Sequence, residues 1–219
     1  MSVPEACIFD LDGVIVETAE FHFKAWKRLA DQLDIPFDRE DNEALKGVSR
    51  RESLNIILEL GGQTLPEKEI RELMDRKNQW YNEYLTTLTS DDILPGIPVF
   101  IDTLRELGVK LAIGSSSKNA RTIMDYLQIN DLFDAVIDGT KIVNTKPDPE
   151  VFLKAAGALE AEPGRTIVFE DATAGIEAAN AAGMYSVGVG KKENLPGADL
   201  VISTFEGLTP ARLFSRLNI

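Results

Sequence analysis

Two acidic pairs mark this sequence, Asp10 with Asp12 and Glu170 with Asp171. The first follows the apolar run 3–9. The second ends the run 166–169 and precedes a helical stretch at 174–182. In an extended chain, residues two apart point to the same side, so Asp10 and Asp12 are expected to face one crevice. That crevice would lie at the carboxyl end of a sheet, where open α/β folds bind ligands. Alone, an Asp-x-Asp reads equally well as turn chemistry; two acidic pairs at two strand ends weaken that reading. Four carboxylates in one crevice repel each other, and a hard divalent cation relieves the repulsion. Oxygen donors favour Mg²⁺ over zinc. His22 is the only histidine, which leaves no zinc site of the usual His/Cys kind.

Phosphate-directed groups accompany the carboxylates. Residues 114–119 (Gly-Ser-Ser-Ser-Lys-Asn) follow the strand pattern at 110–113 and open a helix. Ser115, Ser117, Lys118 and Asn119 offer hydroxyls, an ammonium and helix N-terminal amides to an oxyanion, although an ordinary Ser/Asn cap uses the same residue types. Lys146 stands at the head of Lys-Pro-Asp-Pro, where the prolines stiffen the backbone and aim the lysine inward. A solvated lysine is the plain alternative.

The elements that must position these groups follow from hydrophobic patterning. Strands are expected at 3–9, 110–115, 135–138, 166–170, 185–189 and 200–203, most of them continuously apolar, as in a parallel sheet covered on both faces. Helices are expected between them at 99–107, 119–127, 149–159 and 174–182. This alternation predicts an α/β, doubly wound (Rossmann-like) parallel-sheet core. Residues 19–88 show no strand pattern. Trp26, Leu29, Ala30 and Leu33 recur at helical spacing, as do Leu54, Ile57 and Leu58, and then Ile70, Leu73, Met74, Lys77 and Tyr81. The expected domains are a core of 1–15 with 89–219 and an inserted α-helical cap of 16–88. The two crossings between them form a natural hinge.

Composition narrows the function classes. The chain has 219 residues, with 23 Lys+Arg against 36 Asp+Glu for a net charge of −13. A net anion without a run of basic residues is repelled by nucleic acid and by anionic lipid. No apolar stretch approaches a membrane span. The start of the chain lacks a cationic segment leading into an apolar run, so no secretory signal is expected. One cysteine, Cys7, excludes an internal disulfide framework and suits a reducing, cytoplasmic setting.

The motifs Asp10-Leu11-Asp12-Gly13-Val14, Ser115, Lys146-Pro147 and Glu170-Asp171, in this order, resemble the haloacid dehalogenase superfamily of phosphoryl-transfer enzymes. The resemblance covers the whole chain. It is strongest toward the sugar-phosphate mutases of that superfamily, through the segments 18–26, 45–50, 52–54, 76–78 and 115–119. It implies Asp10 as a nucleophile that becomes an aspartyl phosphate and Asp12 as the general acid/base. Mg²⁺ would be held by the Asp10 carboxylate, the Asp12 backbone carbonyl, Glu170 and Asp171. Ser115 and Lys146 would hold the transferring phosphoryl group. Arg50, Ser117, Lys118 and Asn119 would hold a second, distant phosphate. His22, Lys46, Gly47, Val48 and Lys77 would contact the sugar or the acid/base from the cap, with Thr18 a hinge residue. His22 also shares a helical face with Trp26, where a satisfied core histidine is the plain reading.

A phosphatase needs one phosphate site and a water; a mutase needs two sites, because its bisphosphate must bind in either orientation. The implied reaction interconverts β-glucose 1-phosphate and β-glucose 6-phosphate through β-glucose 1,6-bisphosphate. The expected partners are small-molecule sugar phosphates, with no nucleic acid and no membrane, and the chain is expected to act as a monomer. A sugar-phosphate phosphatase is the alternative, and a non-catalytic phosphosugar-binding regulator a second one. On a chain of this charge, Arg50, Lys77, Lys118 and Lys146 around one crevice would invert the local field.

Overall fold

The computed structural model describes residues 3–45 and 48–219; Lys46 and Gly47, expected to contact the sugar, lie outside the described residues. The chain divides into two compact units, one comprising the segment up to Glu17 together with Thr89–Ile219, the other Thr18–Leu88. The first boundary falls two residues later than the sequence suggests. Val16 is bridged to Asp12 and to Ile93, which holds it in the core unit.

The core unit is built on six parallel strands: β1 (Ala6–Phe9), β2 (Lys110–Gly114), β3 (Ala135–Ile137), β4 (Thr166–Glu170), β5 (Tyr185–Val189) and β6 (Leu200–Ile202), in the order β3-β2-β1-β4-β5-β6. After β1 the chain builds outward through β2 and β3, then returns to place β4 against the other edge of β1. The reversal makes the β1/β4 boundary the topological switch point, where open parallel sheets bind ligands beyond their carboxyl ends. Every residue of β1 and β4 is buried, which explains their uninterrupted apolar runs. Strand β1 is shorter than its apolar run. Pro4 has no N–H to give a ladder, and pairing starts at Glu5, whose N–H donates to Arg165 O (2.9 Å) and whose carbonyl accepts from Lys110 N–H (3.0 Å).

The helical unit contains α1 (Ala19–Gln32), α2 (Arg39–Glu43), α3 (Arg50–Leu60) and α4 (Glu67–Leu85). Helices α1 and α4 pack along each other, burying Trp26, Leu29 and Ala30 with Leu73, Tyr81 and Leu85. The short α2 has too few apolar residues to show a helical period. It is held at its N-terminal end: the Asp38 side chain accepts from the N–H groups of Glu40 and Asp41, and Asp41 accepts from Asp38 N–H.

The core helices are α5 (Ile97–Glu106), α6 (Ala120–Leu127), α7 (Glu150–Leu159), α8 (Thr173–Ala181) and α9 (Pro210–Leu217). Helix α7 packs on β1–β3 and α8 on β4 and β5, where Ala6, Ile8, Ala112 and Val168 meet Phe152, Ala155 and Ala178. The alternate strand residues face a second, aromatic layer in which Phe9 and Phe169 contact Phe205, and Phe169 also meets Phe100 of α5 edge-on. The fold is thus a doubly wound α/β sheet with a helical insertion. Helix α9 lies beyond the last strand, where the strand–helix alternation gave no reason to expect one. Thr209 caps it through its hydroxyl and Pro210 opens it. No described helix is long and apolar enough to cross a membrane.

Candidate active site

Asp10 is the first residue beyond β1, and its N–H donates to Phe169 O of β4 at 2.9 Å. Glu170 is the last residue of β4 and Asp171 the next. Ligand oxygens of Asp10, Glu170 and Asp171 all lie within 4.8 Å of one another at the switch point. The buried Lys146 spans two of them: Nζ donates to Asp10 Oδ1 at 2.5 Å and to Glu170 Oε2 at 2.7 Å. Its ammonium also stands 4.8 Å from the Phe152 ring centroid on α7.

One ammonium does not neutralise this cluster. Burial alone would disfavour the Lys146 cation, yet Asp10 and Glu170 outweigh it and hold the lysine above its ordinary value. Burial pushes Glu170 up to about 7 against the pull of Lys146. Burial, then the charges of Glu170 and Asp10, hold Asp171 well above the usual carboxylate range. An all-oxygen donor set, two of its three residues buried, that carries excess negative charge fits a hard divalent cation such as Mg²⁺.

Two glycines let the backbone close on this cluster. Gly13 has φ +80°, and a Cβ there would fall 2.1 Å from Asp171 Oδ2. A Cβ on Gly175 of α8 would fall 2.0 Å from Glu170 Cδ. Asp12 lies past the end of β1. The strand ends at Phe9 and the chain turns, with Ile15 and Val16 N–H groups both donating to Leu11 O. The Asp12 carboxylate is not one of the three that gather, but its charge still acts on Asp171.

The segment after β2 forms a nested loop. Ser115 is buried; its N–H donates to Ile137 O of β3 (3.0 Å), and its Oγ accepts from Ser117 N–H (3.1 Å). Ser117 Oγ accepts in turn from Asn119 N–H (3.2 Å), and Gly139 N–H closes the loop onto Ser117 O (3.0 Å). Ser116 Oγ is a buried hydroxyl without a hydrogen-bond partner, and Lys118 is exposed.

In the helical unit, Lys77 Nζ and His22 Nδ1 are 2.9 Å apart. Lys77 is buried, with its ammonium 4.6 Å from the Trp26 ring centroid and 4.7 Å from that of Tyr81. Burial, then the charges of Lys77 and Arg50, hold His22 well below the usual imidazole range. Both effects favour the neutral ring, and a Lys77 ammonium at 2.9 Å pairs with the tautomer in which Nδ1 accepts and Nε2 carries the proton. Arg50 donates to Asn78 Oδ1 at 2.7 Å. Val48 is half-buried. Thr18 is fully buried ahead of α1, its carbonyl accepting from the N–H groups of Phe21 and His22.

Two residues escaped the sequence reading. Asp138, just beyond β3, is buried and accepts from the Thr140 N–H and hydroxyl, with Arg121 Nε at 3.4 Å. Glu150 opens α7 and accepts from the N–H groups of Val143 and Asn144. In sequence, Glu150 four residues before Lys154 looks like a surface helix pair.

Residues 7–189 match the family described as haloacid dehalogenase-like hydrolase. The chain belongs to this family. It is 48% identical over 207 residues to a β-phosphoglucomutase from Bacillus subtilis (strain 168), covering 94% of this chain and 92% of the relative. A phosphorylated carbohydrates phosphatase from Thermotoga maritima is 30% identical, with 84% and 83% covered. Among solved structures, a β-phosphoglucomutase from Clostridium difficile matches with a TM-score of 0.94 and 43% identity, over 99% of this chain and 98% of that one. The relatives thus include a mutase at 48% identity and a phosphatase at 30%.

Proposed function

We propose that the chain is a phosphomutase that interconverts β-glucose 1-phosphate and β-glucose 6-phosphate through β-glucose 1,6-bisphosphate and an aspartyl phosphate on Asp10. The observation that carries the reading is the Lys146 ammonium held between Asp10 and Glu170, in a chain 48% identical to a β-phosphoglucomutase. The reading includes a cytoplasmic monomer.

With the bisphosphate bound, an Asp10 oxygen attacks the phosphorus of its 1-phosphate, the bond from phosphorus to the sugar oxygen breaks, and Asp12 gives that oxygen its proton, which leaves glucose 6-phosphate and phospho-Asp10. In the other half-reaction Asp12 takes a proton from the 6-hydroxyl of β-glucose 1-phosphate, whose oxygen attacks the phosphorus as its bond to Asp10 breaks and so forms the bisphosphate. An anion approaching a phosphate dianion meets repulsion, which the Lys146 charge offsets along the reaction path. Ser115 accepts through its oxygen from Ser117 N–H, which leaves its own O–H to donate to the transferring group. The Asp10, Glu170 and Asp171 carboxylates, with the Asp12 backbone carbonyl, would hold Mg²⁺, which when bound supplies further positive charge against the phosphoryl oxygens.

On this reading Arg50, Ser117, Lys118 and Asn119 hold the phosphate that is not in transfer, Arg50 as a two-pronged donor. His22, Lys46, Gly47, Val48 and Lys77 serve the sugar and the acid/base, and Thr18 the hinge. The phosphatase reading keeps Asp10, Asp12 and Lys146 and replaces the second hydroxyl with water; the name of the Thermotoga maritima relative favours it. The test supplies β-glucose 1-phosphate with Mg²⁺, with and without added bisphosphate, and follows glucose 6-phosphate and inorganic phosphate together. The mutase reading expects glucose 6-phosphate, stimulated by bisphosphate. Phosphate release alone would overturn it.

A further inference from the structure

Lys146 reaches two buried carboxylates from a loop, not from a helix or strand, so something must fix that loop. The segment 138–149 is held at several points. At the near end the buried Asp138 accepts from Thr140 N–H at 2.9 Å. Further on, both Glu150 carboxylate oxygens accept from Val143 N–H at 3.1 Å, and Oε2 also accepts from Asn144 N–H at 2.8 Å. Lys154, one turn along α7, donates to Glu150 Oε1 at 2.5 Å and to Lys141 O at 2.7 Å. Beyond the lysine, Asp148 N–H donates to Thr145 O at 3.1 Å, and Asp148 Oδ1 accepts from Glu150 N–H at 2.9 Å. Meanwhile Val143, in the middle of the loop, is 88% exposed. Ile142 before it packs against the core, so the stretch between that anchor and Lys146 is held by these polar contacts.

We propose that Glu150 is a positioning residue for phosphoryl transfer, fixing the loop from which Lys146 reaches Asp10. The argument is geometric. Glu150 grips the two backbone N–H groups that lie two and three residues before Lys146, and its own backbone is tied to the turn just after it. Helix α7 is packed on β1–β3, so the carboxylate ties the exposed Val143 and Asn144 to a rigid frame. Lys154, then the Asn144 and Val143 N–H groups, hold the Glu150 carboxyl down at about 2, so the clamp stays ionised at any working pH. Displacing a catalytic group by about 1 Å costs on the order of 100-fold in rate; a partly loosened Lys146 should cost about tenfold.

This inference rests on the phosphoryl-transfer reading. The test measures labelling of Asp10 by phosphorus-labelled β-glucose 1,6-bisphosphate in single turnovers with Mg²⁺, across donor concentrations, in wild type, Glu150→Ala, Glu150→Gln, Lys146→Met and Glu150→Ala/Lys146→Met. Wild type that never labels sinks the functional reading itself. If wild type labels, Glu150→Ala should lower the maximal labelling rate about tenfold and the half-saturating concentration less than about threefold. Glu150→Gln, which keeps one side-chain acceptor, should fall between the two and covers the case in which the alanine variant does not fold. In the Lys146→Met background the Glu150→Ala substitution should cost nothing further, because the clamp acts through the lysine. Wild-type labelling rates in Glu150→Ala or Glu150→Gln would overturn the proposal. So would losses from Glu150→Ala and Lys146→Met that multiply, as expected of a carboxylate that only stabilises the fold.

Discussion

Phe9 and Phe169 are partners in the parallel ladder of β1 and β4, and their rings stack with centroids 4.6 Å apart and planes 11° apart. Each is followed at once by a carboxylate of the acidic cluster, Asp10 or Glu170. The stack lies in the aromatic layer of the core, whereas the next residue along each strand turns to the opposite face. The separation of the two carboxylates is thus set by the packing of two phenylalanines and by the bond from Asp10 N–H to Phe169 O. The acidic cluster is thereby referenced to two fully buried rings.

Phe169→Ala should therefore damage stability and the site together. Phe169 is fully buried and meets Phe9, Phe100 and Phe205. Truncation of such a ring costs about 3–5 kcal/mol, to be read from urea unfolding at unchanged slope. Mg²⁺ affinity should fall in the same variant. A loss below about 1 kcal/mol would show that the aromatic layer does not hold the two strand ends.

Gly13→Ala tests the close approach of backbone to ligand oxygen. The positive φ costs a residue with a side chain about 1–2 kcal/mol. The added methyl must also displace the Asp171 carboxylate, whose Oδ2 lies 2.1 Å from the Cβ position. The variant should remain folded by circular dichroism and bind Mg²⁺ on the order of ten times more weakly by calorimetric titration. Unchanged affinity would remove Asp171 from the ligand set.

Much of the fold is legible in the sequence, because strands buried on both faces must be apolar throughout. Thr166–Glu170 and Tyr185–Val189 are the clear cases. What is not legible comes from contacts distant in the chain or from segments too short to show a period. Helix α2 is fixed by Asp38 and Asp41 at its end, and α9 by Thr209 and Pro210, local signals that hydrophobic periodicity does not weigh. Asp10, Glu170 and Asp171 are legible as strand-end acids. The bonding of Lys146 to Asp10 and Glu170 is not, since 136 residues separate Asp10 from Lys146 and 24 separate Lys146 from Glu170. The turn at Asp12 escapes for a different reason: the extended-chain argument assumes that β1 continues, and it stops at Phe9.

Asp171→Asn should move metal affinity and metal-free stability in opposite directions. Burial, then the charges of Glu170 and Asp10, disfavour the charged form of this carboxyl, so the metal-free fold gains by losing it. Thermal unfolding in excess chelator should shift upward by about 2–4 °C for each kcal/mol relieved. With Mg²⁺ the same variant should lose the stabilisation that binding confers on wild type. A variant less stable than wild type in chelator would mean that Asp171 holds the fold and not a cation.

His22 offers the cleanest protonation test, since it is the only histidine in the chain. Burial first, then Lys77 and Arg50, disfavour its cation. In the unfolded chain the imidazole takes up its proton near its ordinary value of about 6.5. The native ring does so only at lower pH. Stability from this group is therefore complete above about pH 6.5 and declines as the pH falls below it. In ¹⁵N-histidine spectra the neutral wild-type ring should be protonated at Nε2, with its midpoint below the ordinary value of about 6.5. Lys77→Met removes the nearer charge and the donor to Nδ1, so its midpoint should move up toward the ordinary value. A wild-type midpoint near 6.5, or a neutral ring protonated at Nδ1, would contradict the Lys77–His22 bond on which this rests.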